Sequence, residues 1–197
     1  MKRLAHTVAE MVARWSCSSA CLVAGAAWGW AEGIWFFIVP DVLVTLAALF
    51  SLRRSFTLVA AVTAGSLVAG MTMFCWGAYN RPSAVAFVGH VPFVSATMSS
   101  SVQAQYGRHG VWALCSAPLS GIPYKMYAVH AAGTVDIVPF MLVSIPARIL
   151  RFALSWAVFA CIRLVFPRAI AARPLLFLCV HGAYWLAIYV FYWSSIA

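Results

Sequence analysis

Long apolar runs separated by short basic breaks set the pattern of this chain. The first run, from Ser16 to Leu52, contains no basic residue. It is too long for one ordinary span of about 20 residues and too short for two spans with a loop. Arg14 precedes it, and Arg53 and Arg54 follow it. The positive-inside bias therefore places both ends on one side of a membrane, as in a segment that enters and returns. Gly29, Gly33 and Pro40 are placed to break the helix, and Pro40 has no N–H to give to the carbonyl of Phe36. Broken backbone at membrane depth is tolerated only where protein or water covers it. Residues 55–79 predict the cleanest full span, with Gly65, Ser66 and Gly70 as small faces for close helix contact, and Arg81 and Pro82 end it. From 83 to 110 the pattern weakens. An apolar patch over Ala84 to Val94 carries His90 and Pro92, and the polar stretch SATMSSSVQAQYGRHG after it fits a loop or a surface helix.

The second half repeats the interrupted pattern. Residues 111–147 contain Pro118, Gly121, Pro123, Gly133, Pro139 and Pro146, with Lys125, His130 and Asp136 among them, so no straight transmembrane helix is expected there. Residues 149–166 predict a span bearing Arg151 and Arg163. Residues 174–195 predict a last span ending in an aromatic belt of Tyr184, Trp185, Tyr189, Tyr192 and Trp193. Two broken, polar-bearing segments in corresponding positions of two halves point to a site between inverted repeats. The expected fold is thus an all-α integral membrane protein, with transmembrane helices plus two re-entrant helical hairpins arranged as inverted repeats. Residues 1–15 read as an interfacial amphipathic helix (Leu4, Val8, Met11 and Val12 on one face), 16–173 as one membrane domain and 174–197 as a C-terminal transmembrane helix. Glu10 in the basic N-terminal region and the length of the apolar run after it argue against a cleaved signal.

Composition agrees with a membrane setting. The chain is 64% hydrophobic and 9% charged, with mean hydropathy +0.93, values that one soluble core of this size could not hide. The net charge of +9 is scattered between apolar runs rather than gathered on one face, so it reads as topology and headgroup contact, not nucleic-acid binding. The six cysteines have no zinc or redox spacing and read as packing residues, Cys17 and Cys21 sharing a helical face. Neither a metal set, a nucleophile with its base nor a phosphate-cradling glycine loop is evident, which makes an integral membrane enzyme the least expected class and calls for no cofactor.

The informative residues are the charges inside the apolar segments. An isolated charge in hydrocarbon costs at least about 2.5–3.5 kcal/mol on insertion scales, so Glu32 and Asp41 mark a site. Nine residues apart, they would sit on opposite faces of an unbroken helix. A break at Pro40 would turn both toward one cavity, where a carboxylate in low dielectric can load and release a proton or couple an ion. The plainer alternative has Asp41 capping the helix after Pro40 and Glu32 paired permanently with an arginine. Arg148 and Arg151 share a helical face at i, i+3, and Lys125 lies in the broken segment upstream. Together they suit a phosphate, the guanidinium groups by bidentate contact and the lysine as a mobile point charge. The plainer alternative for Lys125, Arg148 and Arg151 is positive-inside anchoring and snorkelling, which is the reading for Arg53, Arg54, Arg163, Arg168 and Arg173; His130 is either a titrating group or, more commonly, a histidine satisfied by a backbone carbonyl.

Two stretches carry a family resemblance. EGIWFFIVPDVLV, Glu32 to Val44, resembles the first re-entrant motif of the DedA proteins, also called VTT-domain or SNARE-associated Golgi proteins, particularly their short YqaA-like members. GIPYKMYAVHAAG, Gly121 to Gly133, with SIPARILRF downstream, is similar to their second. Pro40, Pro123 and Gly133 fall at the helix breaks of those motifs. The chain departs from the family in having Pro40-Asp41 without an intervening glycine, Lys125 where an arginine is expected, and a short spacing between the acids. The resemblance implies two re-entrant hairpins meeting at mid-membrane and a translocator (flippase or scramblase) of a phosphate-bearing lipid, undecaprenyl phosphate or a phospholipid, with proton coupling in some members. Membrane lipids are then the partners, a homo-oligomer is compatible, and the location is the bacterial inner membrane, crossed several times. The competing classes are a proton-coupled small-cation or drug transporter using the same acids, and a membrane assembly subunit that transports nothing.

Overall fold

The computed structural model describes residues 7, 10–12, 14–16, 18–92 and 94–196. Leu4 and Val8 of the expected interfacial helix, and Cys17, lie outside the described residues, whereas residues 10–12 and 14–16 are helical. From Ser18 on, all regular structure in the described residues is helical: α1 (Ser19–Ile34), α2 (Asp41–Phe50), α3 (Leu52–Tyr79), α4 (Arg81–Gly89), α5 (Ala96–His109), 3-10 turns at Gly110–Cys115 and Ala117–Leu119, α6 (Tyr124–Ala131), α7 (Ile137–Val165), α8 (Pro167–Ala172) and α9 (Pro174–Ile196). Three segments among these residues are long and apolar enough to cross a membrane: Leu52–Tyr79, Ile137–Val165 and Pro174–Tyr192.

The Ser18 hydroxyl starts α1 by accepting from the Cys21 amide at 3.2 Å. The helix ends where the amides of Trp35 and Phe36 both turn back to the Ala31 carbonyl, and α2 begins after Pro40. Gly29 and Gly33 do not break α1 as expected. With Gly25 they form a stripe of small residues, one turn apart, that lets α1 lie directly on α3. A Cβ at Gly25 would meet Leu58, one at Gly29 the Val62 carbonyl and one at Gly33 Ala69, so the two helices run in the same direction. Across the same seam a Cβ at Gly65 would strike the Ala26 carbonyl.

The directions of the other helices follow from their contacts. Trp156 meets Ser55, Arg148 meets Ser66 and Phe140 meets Phe74, so α7 runs opposite to α3. Asp41 faces Arg151 and Ser155 while Ala48 and Leu49 pack with Phe159, so α2 runs with α7 and against α1. Residues 35–40 are therefore the tip of a fold-back whose arms lie beside the first two-thirds of α3. A second fold-back comes from the other end. The helix α5 passes α6 in the opposite sense, Ser99 meeting His130 and Tyr106 meeting the Tyr127 carbonyl. The chain turns through 110–123, and α6 then climbs along the last turns of α3, where Gly70 admits Tyr124 and Gly77 admits Val129. Every residue of α6 is buried, including Lys125 and His130. The last helix, α9, lies outside both tips.

The second half departs from its expected breaks. Residues 137–147 are not broken but form the first three turns of the 29-residue α7. Pro139 falls in its first turn, where no intrahelical N–H bond is due, and Pro146 sacrifices one bond inside a helix held by packing on both α2 and α3. The stretch 83–110 carries two helices, α4 capped by the Asn80 side chain on Ser83 N and α5, the surface helix that its polar sequence allowed, by Ser95 on Met98 N. Outward faces of α7 and α9 are apolar, with Leu142, Ile149, Leu154, Leu186 and Val190 exposed, as lipid contact requires.

Candidate functional site

The tips of the two fold-backs, together with Val91, Pro92, α7 and α9, line a cavity of about 250 Å³, whose Arg148 bonds Ser66 midway along α3. Glu32, Asp41, Lys125, Arg148 and Arg151 all line it, so both acids and all three cations singled out in the sequence converge on one space. Phe36, Phe37, Val91, Ile122 and Ile188 supply apolar wall.

Glu32 is held on the last turn of α1 and Arg148 on α7. Their ion pair is short, Arg148 Nη2 to Glu32 Oε2 at 2.9 Å, and side-chain exposure is only 10% and 8%. Arg148 Nε donates to Ser66 Oγ at 3.0 Å, and the guanidinium carbon lies over both the Tyr124 and the Phe152 ring, 4.7 Å from each centroid. Two aromatic faces add cation–π attraction to a desolvated ion pair. Glu32 thus has an arginine beside it, the pairing on which the plainer reading rests.

The second pair is looser. Arg151 Nε lies 3.5 Å from Asp41 Oδ1, and Arg151 Nη1 reaches the Pro118 carbonyl of the second tip at 3.4 Å. Its side chain is 32% exposed, whereas that of Asp41 is fully buried. Asp41 makes no capping bond to the start of α2. Instead Ser155, one turn after Arg151, donates to Asp41 Oδ1, and Asp41 Oδ2 has no hydrogen-bond partner.

Lys125 stands apart from both pairs. Its Nζ donates at 2.9 Å to the carbonyl of Phe36, the group that Pro40 cannot serve, so the second fold-back is tied to the tip of the first. Pro123 precedes α6, and Gly133, at φ +79°, follows it in a conformation that favours glycine. Both sit at helix breaks.

Sequence reasoning missed the α9 side of the cavity. Trp185, Tyr189 and Tyr192 face the protein rather than forming a belt: Trp185 Nε1 donates to Thr45 at 3.1 Å, Tyr189 accepts from the Val39 amide at 2.8 Å, and Tyr192 donates to the Gly121 carbonyl at 2.6 Å. Tyr184 is exposed, and the Trp193 side chain lies outside the described residues. The i, i+3 spacing of Tyr189 and Tyr192 was the available signal. His130 lies outside the cavity, with Ser99 at 2.8 Å and Arg81 at 3.3 Å.

No family model matches the chain, and no curated protein or solved structure shows significant similarity to it. Among the described residues the fold is all-helical with three helices long and apolar enough to span a membrane, and five charged groups meet between the two fold-backs.

Proposed function

We propose that the chain is a membrane translocator of a phosphate-bearing lipid, of the DedA or VTT type that its two motifs resemble. The carrying observation is the charge arrangement of the cavity. Glu32 and Asp41 are each matched by an arginine, and the remaining cation, Lys125, is bonded to a neutral carbonyl. A surplus positive charge in a largely apolar cavity recruits an anion, and phosphate is the anion that a lysine and an adjacent guanidinium hold best. The same surplus disfavours the alternative of a cation transporter.

The fold-backs read as re-entrant hairpins. At about 1.5 Å per residue, α2 reaches about 15 Å and α6 about 12 Å, and neither can cross a hydrocarbon core of about 30 Å. They approach from opposite ends of α3, the arrangement that an inverted repeat gives. Arg53 and Arg54 open α3, Arg163 ends α7, and Arg168 and Arg173 follow it, so all five lie at one end, which the positive-inside bias assigns to the cytoplasm. The phosphate passes through the cavity while acyl chains remain in lipid beside the weakly buried α9. The cavity acids offer proton coupling. The location in keeping with this reading is a bacterial inner membrane.

The test is headgroup dependence in liposomes. Purified protein should move fluorescent phosphatidic acid and a polyprenyl phosphate analogue across the bilayer but not a neutral glycolipid bearing the same tag, and Lys125→Gln should slow the phosphate lipids. Equal movement of all three, unaffected by Lys125→Gln, refutes the phosphate reading.

A further inference from the structure

Of the two ion pairs in the cavity, one is built to stay and the other to part. The contacts of Arg148 oppose movement: two polar contacts at 2.9 and 3.0 Å, two aromatic rings 4.7 Å from its Cζ and 10% side-chain exposure. Arg151, one helical turn on, has no polar contact shorter than 3.4 Å, a third of its side chain open and the cavity in front of it. Its partner Asp41 is the reverse case, fully buried, held by Ser155 and left with Oδ2 unbonded. Around Asp41 the charged and polar groups are Arg151 and Ser155 from α7 and Tyr189 from α9, with Glu32, Lys125 and Arg148 across the cavity.

Lys125 and the open side of Arg151 line the same cavity, so an anion that enters it meets the surfaces of both. It must compete there with Asp41 for the same guanidinium. We infer that Asp41 is an internal competitor for the phosphate site: its carboxylate occupies Arg151 while the cavity is empty, yields it to an entering phosphate, and retakes it to expel the phosphate. The inference rests on the reading of the cavity as a phosphate-lipid site. It divides the labour of the two acids, Glu32 holding the fold and Asp41 setting how tightly the ligand is kept. A translocator needs such a limit, because a phosphate trapped between two cations in low dielectric leaves slowly. Ser155 is a positioning residue for this exchange, since its hydroxyl holds the carboxylate after Arg151 departs.

The experiment measures binding, by calorimetry on the detergent-solubilised full chain, of dihexanoyl phosphatidic acid and, in parallel, of inorganic phosphate. Asp41→Asn should bind the lipid about fivefold more tightly than wild type, the scale of one partly exposed ion pair. Arg151→Gln should bind it more weakly, and in the Arg151→Gln background Asp41→Asn should no longer tighten it. That last arm separates competition for Arg151 from the general removal of a negative charge, which would tighten binding in either background. Tightening of both probes assigns the exchange to phosphate alone, and tightening of the lipid only assigns it to a lipid phosphate; both support the inference. Ser155→Ala gives a second reading should Asp41→Asn fold poorly: with its holder gone, Asp41 depends more on Arg151, and phosphatidic acid should bind less well. Unchanged or weaker binding by Asp41→Asn, or tightening that survives in the Arg151→Gln background, overturns the inference. Binding of neither probe by wild type or by Asp41→Asn overturns it together with the phosphate reading. Binding as expected without lipid movement in liposomes leaves the competition standing and removes translocation only.

Discussion

Removing one member of the Glu32–Arg148 pair tests whether it is as desolvated as its geometry indicates. In Glu32→Leu the guanidinium keeps Ser66 Oγ at 3.0 Å and its two aromatic neighbours but loses its only carboxylate, and its 10% exposure offers little water in exchange. Leaving a buried charge uncompensated costs about 3–5 kcal/mol. Both groups line the cavity, so the lower end, about 3 kcal/mol, applies here. Arg148→Met should cost a similar amount by stranding Glu32. The double variant should lose much less than the two singles together, because a buried pair is worth little net once its desolvation is counted. Unfolding in mixed micelles, titrated with an anionic detergent and followed through the nine tryptophans, supplies the three free energies. Single losses below about 1 kcal/mol would show that Arg148 behaves as an exposed ion pair, against its packing. A double loss equal to the sum would show that the two residues act independently, and either result refutes the reasoning.

Three further outcomes follow from other contacts. Gly65→Val drives a side chain into the Ala26 carbonyl and should lower stability in the same assay by about 1–3 kcal/mol or more, whereas Gly107→Ala, on an open face of α5, should be neutral or stabilise by up to about 1 kcal/mol. Tyr192→Phe removes the bond to the Gly121 carbonyl and should cost about 0.5–1.5 kcal/mol, with unchanged stability showing that α9 is not tied to the second tip. Lys125→Met leaves the Phe36 carbonyl unsatisfied, costing about 1–3 kcal/mol, and should abolish calorimetric binding of phosphatidic acid; undiminished binding would remove Lys125 from the site.

The legible parts of this molecule were those where one physical signal dominates. The span over 55–79 appears as α3 with its start three residues earlier, because 25 apolar and small residues without proline admit nothing else. The acids stood out because a carboxylate in an apolar run needs a partner, and the structure places Glu32 and Asp41 in one cavity with Lys125, Arg148 and Arg151. Signals that depend on position within an element were misread. Pro139 and Pro146 counted as breaks, although a proline in a first turn costs a helix nothing and a single interior one is absorbed by packing. Gly29 and Gly33 counted as breaks too, although glycines one turn apart serve helix contact just as well. The tyrosines of α9 are ambiguous in the sequence because belt and cavity wall use the same residue type, and the i, i+3 spacing of Tyr189 and Tyr192 is the one hint of a shared inward face. Ser155 was readable in part: with Arg148, Arg151 and Phe152 it completes one helical face, but a lone serine carries no signal until Asp41 is seen beside it.

The most direct measurement is chemical quenching, from outside, of a fluorescent polyprenyl phosphate in liposomes holding the purified wild-type protein, with an internal pH dye in the same vesicles. The account predicts that quenching proceeds past the outer leaflet's share in vesicles with protein and stops there in vesicles without it. Quenching that halts at the outer leaflet in both, with the protein folded and inserted, would contradict it, and a cation-driven pH signal in those vesicles would point to ion transport instead.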